Sequence, residues 1–130
     1  MLMPPVSRYM TTHPYAIDAS EKLSSARQLM ATRDIHHLPV VEDECVIGIL
    51  SDRDLFPIHP LHDIPVGETM THEVAFVAPE TPLDRVIGLM EATRCGSVVV
   101  KSGNGVEGIF TVSDALRALS DILRRVENEP

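Results

Sequence analysis

Gly48-Ile49-Leu50-Ser51-Asp52-Arg53-Asp54 returns sixty residues later as Gly108-Ile109-Phe110-Thr111-Val112-Ser113-Asp114. The same offset carries Val6 to Val66, Met10-Thr11 to Met70-Thr71, Leu23 to Leu83 and Leu29-Met30 to Leu89-Met90. It also carries Leu38 to Val98 and Leu55 to Ala115, with no gap anywhere. One offset shared by so many dispersed apolar and polar positions marks an internal duplication, and the repeated unit sets the architecture.

Each copy reads as β-α-β-β-α. A small strand is expected around Tyr15 to Ile17, and again around Ala75 to Val77. A helix follows, with Ser20 as its N-cap and Leu23, Ala26, Arg27 and Met30 along one side. Its second copy has Thr81 as cap, Pro82 at the first helical position and Leu83, Val86, Ile87 and Met90 as the stripe. Next come paired strands, His37 to Val41 with Val46 to Leu50, and Ser97 to Lys101 with Val106 to Phe110. Asn104-Gly105 supplies a hairpin signal in the second pair. A further helix opens at Ser51 and at Thr111, both good N-cap residues. The second of these presents Ala115, Leu116, Leu119, Ile122, Leu123 and Val126 as an apolar side. The expected organisation is a first repeat over residues 1–60, a second over 61–125 and a frayed end over 126–130. The linker from Pro57 to Pro65 is short and proline-rich, so the halves are expected to pack as one pseudo-two-fold unit of mixed α/β (α+β) class.

Composition agrees with that class and excludes others. Of 130 residues, 44% are hydrophobic but only 4% aromatic, with no Trp, so the core must be aliphatic. Val and Ile suit strands, while Leu, Met and Ala suit helices. The net charge of −8 offers no basic stripe for nucleic acid and no attraction to anionic membranes. The start of the chain lacks signal-peptide character, and no apolar run approaches the ~20 residues of a membrane helix. Cys45 and Cys95 show no metal spacing and read as reduced thiols. A cytoplasmic protein without nucleic-acid or membrane partners is expected.

A doubled β-α-β-β-α unit closing on Gly-apolar-apolar-Ser/Thr-x-x-Asp resembles the tandem CBS (cystathionine-β-synthase) pair, or Bateman module, from about Val6 to about Leu123. His37-Leu38-Pro39-Val40-Val41 and Val6-x-x-x-Met10-Thr11 add to the likeness. The resemblance implies an adenine nucleotide, AMP, ADP or ATP, held in a cleft between the repeats and reported to a separate effector protein. It also implies pairing into a homodimer. Asp54 and Asp114 would accept the two ribose hydroxyls, with Ser51 and Thr111 beside them. Phosphate at one repeat would be reached from the other, so Arg53, His36 and His37 would serve a nucleotide on Asp114. The adenine slot there would be formed by Met70, Val74, Ala75, Cys95 and Gly96, all small or apolar. At Asp54 the corresponding residues are Met10, Pro14, Tyr15, Ile35 and His36, with Arg94 the nearest cation. The Asp114 site is therefore expected to be the better of the two, and the Asp54 site the weaker.

Plainer readings stand beside these. Each Asp can simply cap its helix, Arg53 can pair with Asp52 or Asp54, and His36-His37 can be loop residues without a ligand. His59, His62 and Asp63 in the linker are a weak metal candidate, because the surrounding prolines deny them a helical frame. No phosphate loop, nucleophile elbow or Cys/His dyad is visible, so no catalytic activity, required cofactor or metal is expected. The alternatives to nucleotide sensing are a ligand-free dimerisation scaffold, or a metal- or redox-responsive regulator using His36, His37 and Cys95.

Overall fold

The computed structural model describes residues 2–58, 64–103 and 105–128. The linker histidines His59 and His62, with Asp63, lie outside the described residues. Among the described residues, seven strands and four helices follow in chain order, beginning with β1 (Thr11–Thr12), β2 (Ile17–Asp18), α1 (Leu23–Arg33), β3 (His37–Glu42), β4 (Cys45–Ser51) and α2 (Asp52–Leu55). They continue as β5 (Phe76–Val77), α3 (Leu83–Thr93), β6 (Ser97–Ser102), β7 (Gly105–Thr111) and α4 (Val112–Asn128). A single 3₁₀ turn opens each repeat, at Val6–Arg8 and Val66–Glu68. No helix among the described residues is long and apolar enough to cross a membrane.

Two compact units form, and their limits differ from those of the sequence repeats. Pro14–Val74 is one unit; Met1–His13 joins Ala75–Pro130 to make the other. We call them the inner and outer units. In the inner unit β2 runs parallel to β3, and β3 pairs antiparallel with β4. The opening segment of the second repeat completes this sheet, because Thr71 bridges Ile49. The outer unit has the order β1-β7-β6-β5. There β1, from the start of the chain, pairs with β7 through Thr11↔Ile109 and Thr12↔Gly108.

The repeated glycines explain this arrangement. A Cβ on Gly108 would stand 2.7 Å from Met10 Sδ and 2.7 Å from the Thr11 carbonyl oxygen. One on Gly48 would collide with Met70 Sδ and stand 3.0 Å from the Thr71 oxygen. Each strand that closes a repeat thus leaves room for the Met-Thr segment that opens the other. The aliphatic core divides in the same way. Leu23, Ala26, Met30, Leu38, Val40, Leu50, Val66 and Met70 fill the inner unit. Val6, Leu83, Val86, Met90, Val98, Val100, Phe110 and Ala118 fill the outer one.

Several local expectations are corrected. Ser20 does not cap α1: its amide and hydroxyl both donate to the Asp18 carboxylate, at 2.9 and 2.7 Å, which holds a turn. The helix opens at Leu23, whose amide donates to the Ile64 carbonyl at 2.8 Å. Nor does Thr81 cap α3; Pro82 is extended, and the Leu83 amide donates to the Pro4 carbonyl at 2.9 Å. In both helices a backbone carbonyl from a distant segment has taken the role that the side chain was expected to play. Arg27 is exposed, away from the buried stripe of Leu23, Ala26 and Met30.

The hairpins also shift. In the second, Ser102 pairs with Gly105 and Gly103 has φ +61°, while Asn104 lies outside the described residues. The first hairpin turns at Asp43 and Glu44 with φ of +50° and +66°, a left-handed pair built without glycine. Finally, α4 continues through Asn128, past the point where fraying was expected.

The glycine contacts yield a stability test. Gly108→Ala should destabilise the protein by about 1–3 kcal/mol in urea unfolding, because the Thr11 backbone cannot yield without moving β1. Gly88→Ala, in α3 with nothing within 4 Å of the added methyl, should stabilise by about 0.5–1 kcal/mol. Equal effects would refute the packing role assigned to Gly108.

Candidate functional site

The two Ser/Thr-x-x-Asp segments fall where a strand ends and a helix begins. In the outer unit Thr111 closes β7 and Asp114 lies in the first turn of α4. The Thr111 amide donates to Asp114 Oδ2 at 2.9 Å, and the Asp114 amide reaches back to Thr111 Oγ1 at 3.4 Å. This is a capping box, which satisfies amides that a helix start leaves unbonded and sets a negative charge at the positive end of the helix. In the inner unit the Ser51 amide donates to Asp54 Oδ2 at 2.9 Å in the same manner. The capping role is therefore realised in both repeats.

Beyond the cap the two carboxylates differ. Asp114 is 2% exposed. It also accepts from the Thr111 hydroxyl at 3.2 Å, from the Thr11 hydroxyl of β1 at 3.2 Å, and from the Arg117 guanidinium one turn along α4. Asp54 is half-buried, and the Ser51 amide is its hydrogen-bond partner among the described residues. Thr11 and Arg117 were not candidates on sequence grounds. The Asp114-x-x-Arg117 spacing, which puts opposite charges on neighbouring turns of one helix, was the available signal for the second.

A short loop is tied to each cap. Gly96 accepts from the Val112 amide at 3.2 Å, and His36 accepts from the Asp52 amide at 3.0 Å. Gly96 and Cys95 thus stand at the start of α4 beside Thr111, and Ala75 joins the same sheet by accepting from the Val99 amide at 2.9 Å. Thr111, Asp114, Ala75, Cys95 and Gly96 all belong to the outer unit. The other residues expected around Asp114, namely Arg53, His36, His37, Met70 and Val74, belong to the inner unit. Met70 is buried there, seated on Gly48.

Around Asp54 the inner unit collects Ser51, Asp52, Arg53, Ile35, His36 and His37. His36 Nδ1 lies 2.8 Å from Asp52 Oδ2. Arg53 is exposed and pairs with neither Asp52 nor Asp54 among the described residues. Tyr15 carries the Arg33 guanidinium over its ring at 5.0 Å. His37, half-buried at the start of β3, has its pKa held below the ordinary histidine range. Burial is the main cause, Asp52 and Asp54 oppose it, and His36 and Arg53 add to it. Cys45 and Cys95 are free thiols, and no three His, Cys, Asp or Glu among the described residues are placed to hold a metal.

Fold and site together define a tandem β-α-β-β-α protein whose repeats each place a carboxylate in the cap of the closing helix. Residues 6–58 and 66–121 both match the CBS domain, and the chain belongs to that family. Among solved structures, the Vibrio cholerae protein assigned to acetoin utilization (AcuB) is 31% identical, with TM-score 0.86, over 99% of this chain and 100% of that one. CBSX2, solved in complex with AMP, is 25% identical with TM-score 0.79 over 92% of this chain and 98% of that one. Inosine-5'-monophosphate dehydrogenase of Thermoplasma acidophilum is 30% identical over 78% of this chain but only 21% of its own length. An A-adding tRNA nucleotidyltransferase of Geobacter sulfurreducens, at 27%, is matched over 12% of its length. The chain thus spans about a fifth of the first enzyme and about an eighth of the second.

His37 generates a pH prediction. A histidine whose folded pKa is depressed binds its proton more readily in the unfolded chain. Its contribution to stability is present above about pH 6.5 and is lost as pH falls through the lowered folded value. Acidification from pH 7 toward pH 5 should therefore lower the melting temperature, and His37→Gln should flatten that part of the profile. An unchanged slope in the variant would exclude His37 as its source.

Proposed function

We propose that this chain is a regulatory module that binds an adenine nucleotide of the AMP, ADP or ATP class, without catalysing a reaction on it, and passes the binding event to an effector protein. The observation that carries this reading is the duplicated carboxylate in the first turn of α2 and α4. Asp54 and Asp114 each combine the acceptor geometry a ribose diol needs with the positive end of a helix nearby. Family membership and the AMP complex of a 25%-identical relative support the choice of ligand.

We assign the preferred site to Asp114 and Thr111, with the adenine beside Ala75, Cys95 and Gly96. Arg53 is the phosphate cation of this reading, and His36 and His37 offer ring N–H donors. Arg53 is suited to this as a permanently charged planar fork that no carboxylate among the described residues engages. Asp54, Ser51, Tyr15 and Ile35 form the weaker site. The free thiols accord with a reducing, cytoplasmic setting. In calorimetric titration with AMP, ADP and ATP, Asp114→Ala should weaken binding about tenfold or more, and by a larger factor than Asp54→Ala. The reverse order would overturn the site ranking, and no binding at millimolar nucleotide would overturn the function.

We further propose that two copies associate. On α4, Val112, Leu116, Leu119, Leu123 and Val126 are 52–63% exposed, spaced alternately by four and three residues. That is the spacing of a helix seam looking for a partner. Light scattering should report twice the chain mass, and Leu119→Glu should reduce it to one. A wild-type chain that is monomeric at tens of micromolar would refute the pairing.

A further inference from the structure

In the outer unit the Asp114 carboxylate is already fully engaged by the protein. A carboxylate offers about four lone-pair directions. Here they meet the Thr111 amide, the Thr111 hydroxyl, the Thr11 hydroxyl and the Arg117 guanidinium, in a residue only 2% exposed. A ribose cis-diol needs two of these directions, so it has to displace two donors. The Thr111 groups belong to the capping box and hold the start of α4. Thr11 and Arg117 come from outside the cap, and both are exposed on their outer sides, with the Arg117 side chain 67% accessible. Either can turn to water, and a diol hydroxyl then takes the place of the lost donor on the buried carboxylate.

The other repeat serves as an internal comparison. At the sixty-residue offset, the positions equivalent to Thr11 and Arg117 are Thr71 and Pro57. Proline has no side-chain donor, and the Thr71 hydroxyl makes no bond to Asp54 among the described residues. The duplicated fold therefore does not require the additional pair; only the Asp114 copy carries it.

We infer that Thr11 and Arg117 are a built-in competitor for the ribose hydroxyls at Asp114, setting the affinity of that site and tying its occupancy to β1. This rests on the reading of Asp114 as the ribose acceptor. The two donors stabilise the ligand-free form, so apparent affinity falls by the fraction of molecules in which they are bound. When the diol takes their place, β1 loses the hydroxyl contact that anchors Thr11 to α4. Occupancy is then felt by β1, which stays on β7 through its two-residue pairing, the His13 amide on the Glu107 carbonyl and the seating of Met10 on Gly108, with Tyr9 still bonded to Asp121.

The test is calorimetric titration of the full chain with adenosine, AMP and 2′-deoxyadenosine, using wild type, Thr11→Val, Arg117→Gln and Asp114→Asn. Thr11→Val and Arg117→Gln should each bind adenosine about three- to tenfold more tightly, because the ligand no longer displaces that donor. Thr11→Val should tighten AMP by the same factor and 2′-deoxyadenosine by less, a dependence on the diol that a merely structural role would not produce. In the Asp114→Asn background the Thr11→Val gain should vanish. Adenosine affinity that is unchanged or weaker in both variants, with wild-type binding intact, overturns the competitor and leaves the ribose assignment standing. Binding by the variants where wild type shows none supports the competitor. No binding by wild type or either variant at millimolar adenosine overturns both readings. Should Arg117→Gln fail to fold by circular dichroism, Thr11→Val, which keeps size and β-propensity, decides alone.

Discussion

The contact on which the rest of the structure depends is the seating of a methionine and its following threonine against a bare glycine backbone. Met10 and Thr11 lie on Gly108, and Met70 and Thr71 lie on Gly48. Any side chain at either glycine would occupy the space of the opposing strand's carbonyl. This close approach lets β1 pair with β7, and Thr71 bridge Ile49, so that each sheet gains a further member from the opening of the other repeat. The outer unit in particular holds its N-terminal segment across some sixty intervening residues because this pairing and the burial of Val6 and Met10 reward it.

The same contact shapes the chemistry. In the outer unit, the segment that seats Met10 on Gly108 also brings Thr11 to the start of α4, where its hydroxyl reaches Asp114. The capping box orients the carboxylate and the helix end favours its charge. The neighbours then determine how much of it is offered outward. In the inner unit the corresponding carboxylate keeps its cap but gains neither the threonine nor an arginine. Two sites with one backbone design thus differ in what a ligand must displace.

The helices show a similar division of labour. Ala115, Ala118 and Ile122 turn one side of α4 toward the outer-unit core, while Val112, Leu116, Leu119, Leu123 and Val126 remain on its exposed side. A helix that is apolar on two sides satisfies one of them internally and leaves the other for association. By contrast α2 ends after Leu55, where Phe56-Pro57 follows and the proline cannot continue the helical bonding. The duplication therefore produced one long closing helix and one short one.

The period of the repeat, the β-α-β-β-α order, the aliphatic core and the capping Ser/Thr-x-x-Asp pairs were all legible in the chain. Each depends on residues near one another in sequence, or on a pattern that occurs twice. Those local signals failed at Ser20 and Thr81, because the amides that open α1 and α3 are met by the carbonyls of Ile64 and Pro4, far along the chain. They were also silent on which opening segment joins which unit, since Met10-Thr11 and Met70-Thr71 read alike. The sequence by itself determined that two like halves exist and where each presents a carboxylate. Only the tertiary structure decided that Met1–His13 completes the second half, and that Thr11 therefore joins Arg117, its neighbour along the helix, on Asp114. The threonine is brought there by long-range strand pairing, which no periodicity or spacing in the sequence encodes.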